Sequence, residues 1–148
     1  MLFEKLPQAG HPLLMQGVII SVRPTVRVRV HRPRGKDLIG ALVVDTAKGI
    51  LPKTDDAAAK LTNGMIHAAT LLHRQVNEVV AEQGLNDAKV SPDHCVVFHT
   101  HRQQRVTAPT NSRKLIRNIE AVCRGIARGW DNIDPPPNFD AARARYRG

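Results

Sequence analysis

The chain reads as an α+β (or α/β) domain: a mostly antiparallel sheet of four to five strands carrying two amphipathic helices, in the order β-β-β-α-β-(β)-α. Three observations predict it. Strict alternation in "TVRVRVH" at 25–31 sets Val26, Val28 and Val30 on one side of a strand and Arg27, Arg29 and His31 on the other. Apolar residues at steps of three and four, over 61–79 and again over 115–130, mark two helices. The near-continuous apolar run "LIGALVVD" at 38–45 has the character of a strand buried on both faces.

Each element follows from its own residues. "GVIISVR" at 17–23 is the first expected strand, and Pro24 suits the turn into the second. "RPRGKD" at 32–37 is the next turn, punctuated by Pro33 and Gly35. Thr54, Asp55 and Asp56 then favour a helix start, since a hydroxyl caps free amides and acids meet the positive end of the dipole. The expected core face of this helix is Leu61, Met65, Ala68, Leu72, Val76 and Val79, with Gly84-Leu85 as its stop. Thr62-Asn63-Gly64 is expected to kink or split it.

"CVVFH" at 95–99 is a strand, pairing with "QQRVT" at 103–107 as a hairpin. The second helix begins after Pro109, capped by Thr110, Asn111 or Ser112, and runs to about Trp130 with a core face of Leu115, Ile119, Val122, Ile126 and Trp130. The strands at 38–45 and 95–99, joined by a helix, form a βαβ unit if they are parallel neighbours, which sets Asp45 beside His99. The domain is expected to span 1–130. Residues 131–148, with three consecutive prolines and few apolar side chains, form a tail not needed for folding.

Charge points to a class of partner. Lys and Arg number 22 against 13 acids, a formal net charge of +9, and such a field attracts polyanions whatever the fold. Nucleic acid is the foremost of these. No signal-peptide pattern and no apolar run of about 20 residues is seen, so the expected location is cytoplasmic, with no membrane partner. Cys95 and Cys123 sit in apolar patterns and are expected as buried, reduced thiols.

On a helical wheel Arg113, Arg117, Arg124 and Arg128 fall within roughly 60° of one another, interrupted only by Glu120. Arg27 and Arg29, followed by Arg32 and Arg34, form a second basic group in a stretch without acids from 5 to 36. Arginine suits phosphate because its planar fork donates parallel hydrogen bonds. Aromatic residues are few, and Phe98 and Trp130 fit the core pattern, so recognition of the phosphate backbone of DNA or RNA is expected over base stacking.

One stretch hints at chemistry. In "VVFHTHR" an extended strand would project His99 and His101 to the same side, with Arg102 and Arg105 following. The pattern is expected to line an anion-facing edge with those arginines. The alternative is a hydrolase of phosphorylated or nucleic-acid substrates in which Asp45, His99 and His101 hold a divalent metal or act as general bases. "VVFHTH" resembles the His-Ser/Thr-His-Pro signature of metal-dependent isopeptidases of the JAMM class. Arg102 replaces the proline, and no aspartate follows before Asp131, so the chain is not assigned to that family. No cofactor is otherwise expected. A third reading is a structural subunit of a ribonucleoprotein or other assembly, self-associating as a homo-oligomer.

Overall fold

A computed structural model describes residues 1–5, 11–46 and 51–132. Among them are β1 (Leu2–Lys5), β2 (Leu13–Met15), β3 (Val18–Ile20), β4 (Val26–Val30), β5 (Asp37–Asp45), α1 (Asp55–Glu82), β6 (Ala88–His99), β7 (Gln104–Thr107) and α2 (Arg113–Gly129). A short 3-10 turn, Trp130–Asn132, follows α2. The main sheet has the order β1-β4-β5-β6-β7, and β2 and β3 form a separate hairpin. The class is α+β, as the sequence predicts. The expected tail lies, from 133 on, outside the described residues.

The βαβ unit is the centre of the molecule. β5 and β6 pair in parallel, with Asp45 opposite His99, while the other neighbours in the sheet are antiparallel. α1 crosses between them. Thr54 Oγ1 accepts from the Ala57 amide at 3.2 Å and caps its start. At its end Gly84 takes φ +64°, where the Gly84 amide donates to Ala81 O and the Leu85 amide to Val80 O. These two bonds make a Schellman stop, which the left-handed conformation favours at glycine.

The core joins Ile39 and Ala41 of β5, Cys95 and Val97 of β6, and Met65, Ala69, Leu72 and Val76 of α1. Leu72 is fully buried, so Leu72→Ala should cost about 2–5 kcal/mol. The hairpin completes this side with Leu13 and Met15. Gln75, buried on α1, holds it: its Nε2 donates to the carbonyls of His11 and Val22, on either flank of the hairpin.

Several expectations are corrected. The first strand is not 17–23: the chain turns at Gln16-Gly17, where both φ values are positive, and pairs Leu13–Met15 with Val18–Ile20. β1 carries no alternating signal long enough to read. Thr62-Asn63-Gly64 does not split α1, which runs unbroken from Asp55 to Glu82; the Thr62 hydroxyl donates to Ala58 O, one turn back, instead of competing for a backbone amide. β6 starts at 88 rather than 95. Ile39 faces Val90 while Ala41 faces Cys95, so residues 91–94 bulge out of the strand opposite Gly40. A Cβ at Gly40 would collide with the His94 carbonyl. Pro92 sits inside this bulge, which is why the strand looked shorter.

Candidate nucleic-acid interface

α2 packs on α1 and β3, but not on the face its apolar pattern suggests. Cys123 is buried and Ile116 and Ile119 are packed on the core, whereas Val122, Ile126 and Trp130 are 62%, 41% and 69% exposed. The buried direction is turned by roughly 50° from the Leu115–Trp130 stripe, taking 100° per residue. The apolar arc is wider than the neighbours available to cover it, so half of it faces solvent.

The opposite side carries the arginines. Arg113, Arg117, Arg124 and Arg128 are all exposed, and none forms an ion pair among the described residues. Glu120, the one acid expected to temper that stripe, is turned toward α1, where it meets Arg74 at 3.3 Å. Arg74 is shared with Glu78 at 3.4 Å. The result is four like charges along one helix face with no ion-pair partner among the described residues, an arrangement that opposes helix stability in isolation.

The arginines of β4 behave differently. Arg29 Nε lies 2.8 Å from Asp37 Oδ2 and its Nη2 lies 2.7 Å from Asp87 Oδ2. Those bonds raise the Arg29 pKa, and Arg29, with smaller help from the Arg32 amide and His31, holds the Asp37 carboxyl below the ordinary carboxylate range. Arg27 reaches Glu4 at 4.0 Å and the Gln83 amide oxygen at 3.4 Å. Arg32 and Arg34, in the turn after β4, remain exposed.

At the C-terminal ends of the parallel pair, Asp45 and His99 are neighbours as the sequence predicts. His101 is not on a strand. The Thr100 amide and hydroxyl both donate to Asp45 O, at 3.0 and 3.1 Å, which ends β6 and starts a turn. The two imidazole rings lie 6.4 Å apart, edge to face. His99 is buried with its Nδ1 accepting from the Arg102 amide at 3.4 Å, while His101 is exposed. Among the described residues no group of three or more His, Cys, Asp or Glu is placed to hold a metal.

One surface escapes the sequence reading. α1 covers one face of the sheet, and Phe3, Val28, Leu42 and Val96 line a cleft of about 340 Å³ on the other. Phe98 and Arg105, cross-strand partners, share that face by parity with Val96 and Thr107. Phe98 is therefore on the second face of the sheet rather than in the core around α1, and Trp130 is exposed. The available signal was the apolar character of 38–45 on both sides, set against helices that gather on one.

No family model matches the chain, and no curated protein or solved structure matches it.

Proposed function

We propose that this chain is a nucleic-acid-binding domain that grips the phosphate backbone of DNA or RNA with the arginine face of α2, alone or within a ribonucleoprotein or other assembly. The observation that supports the reading is the absence of ion pairs at Arg113, Arg117, Arg124 and Arg128 among the described residues, while Glu120 is held by Arg74. Guanidinium groups without acidic partners can each neutralise a phosphate and carry no base specificity. Arg32 and Arg34 are further exposed candidates, whereas Arg102 is half-buried and Arg105 lies on the uncovered sheet face.

The test is fluorescence anisotropy with labelled duplex and single strands at stepped salt. Four phosphate contacts should weaken binding by about 100-fold as salt rises from roughly 50 to 200 mM. Replacing the four α2 arginines by Gln should flatten the salt slope by about three to four. No binding at low salt, or a quadruple variant that binds like the parent, refutes the proposal.

A further inference from the structure

The uncovered face of the main sheet needs a partner that the rest of the described chain does not provide. An antiparallel sheet that faces water on one side normally shows polar side chains there. Here Val28, Leu42 and Val96 are apolar, Val28 buried and the other two half-buried, and Phe3 is 66% exposed beside them. None of the four belongs to the core that α1 and the hairpin close. α1 lies against the opposite face, and α2 packs on α1 and β3.

The charges on this face say what fits. A nucleic acid needs several cations in a row, and the cleft is lined by one arginine, Arg105, together with His94 and one acid, Asp93. Arg105 and Asp93 are both exposed, and neither forms an ion pair among the described residues. Asp93 and Arg105, opposite in sign on one face, can both be satisfied against a copy of that face, because a two-fold axis makes the contact of one residue with another occur twice. A chain of net charge +9 repels its own copies over much of its surface, and this apolar face, which holds an acid beside its arginine, is where approach costs least.

We propose that the open sheet face is the interface of a two-fold symmetric homodimer, with Asp93 of each copy meeting Arg105 of the other. The sheets then stack face to face at about 10 Å, closing the two clefts on one another. The five strands give a projected footprint of roughly 24 by 17 Å, or about 400 Å². That is small beside the ~800 Å² of accessible surface per partner in a standard interface, which puts the dimer among weak, concentration-dependent associations. It leaves the arginine faces of both α2 helices outside the contact.

The experiment is sedimentation velocity on the full chain, stripped of nucleic acid by nuclease and high salt, over a concentration series. A monomer–dimer equilibrium in the micromolar range is expected. Phe3→Arg, at an exposed position the monomer tolerates, should weaken it at least about tenfold. Asp93→Arg and Arg105→Asp should each weaken it, and the two together should restore it, with circular dichroism confirming the fold of every variant. A monomer throughout the series overturns the proposal. So does a dimer indifferent to all three changes, a double swap no better than the singles, or an oligonucleotide that competes for the face. Failure of the nucleic-acid reading would appear separately, in the α2 arginine variants, which leave the dimer untouched.

Discussion

β4 and α2 carry the same residue type, half-buried on the strand and exposed on the helix, and among the described residues the first set is ion-paired and the second is not. On β4, Arg29 is clamped between Asp37 and Asp87, two acids that lie 8 and 58 residues away in the chain. On α2, Glu120 is the one acid within the helix, and it is drawn off by Arg74 of α1. A basic strand can therefore be a device for joining a turn to the end of a helix, and a basic helix can remain open to a ligand. The distinction lives on the packing level: topology delivers the acids to β4 and diverts them from α2.

The largest expected effect breaks the comparison at α2. Changing Arg113, Arg117, Arg124 and Arg128 to Gln should lower nucleic-acid affinity at low salt by on the order of 100-fold or more, since each carries a phosphate contact. Changing Arg27 and Arg29 to Gln should leave affinity within about twofold and lower the thermal midpoint instead. The same anisotropy titration, paired with a melting curve, reads both arms. An equal loss of affinity from the β4 pair would mean that its acids yield to phosphate, and the contrast would fail.

A smaller effect sharpens it from the other side. Asp37→Asn combined with Asp87→Asn removes the acids that hold Arg29 and turns β4 into a second unneutralised surface. The variant should bind nucleic acid a few-fold more tightly, with a salt slope steeper by about one. It should also melt earlier than the parent. Tighter binding without a steeper slope would point to a cause other than a new phosphate contact.

These contrasts show what the sequence could and could not convey. The parallel pair and the neighbouring of Asp45 and His99 were legible, because a strand, a long helix and a strand admit few topologies. Thr54 and Gly84 were legible because capping is local. The burial of α2 was not. Its apolar residues span an arc of roughly 140° from Val122 to Ala127 at 100° per residue, and periodicity cannot say which half is covered. The His-Thr-His spacing assumed a strand through 101, but the bonds from Thr100 to Asp45 O turn the chain first. The pairing of Arg29 with Asp87 depends on tertiary contact across 58 residues and leaves no mark in the local pattern. Nor does the pattern reveal that both helices leave the face of Val96 and Phe98 uncovered.

The smallest expected effect is a pH dependence of stability that belongs to the Arg29–Asp37 pair of β4 and β5 and to His73 of α1, and not to the α2 arginines. Asp37 has its pKa lowered first by the hydrogen bond from Arg29, so the folded state prefers the carboxylate. Its contribution is fully present above the unfolded carboxyl value of about 3.9 and is lost as pH falls through the still lower folded value. His73 is shifted the other way in charge: burial lowers its pKa, so folding prefers the neutral ring. The unfolded chain then binds more protons just below about pH 6.5, and stability declines there as pH falls. Urea denaturation from pH 8 to acid should therefore show a shallow decline beginning near about 6.5 and a second one below about 4. His73→Gln should flatten the first and Asp37→Asn the second, while the four α2 substitutions to Gln should leave both in place, because those arginines have no carboxylate partner among the described residues. A profile in which the α2 variant erased the acid-side decline would show that its arginines do have acidic partners in the folded chain, and would undo the contrast with β4.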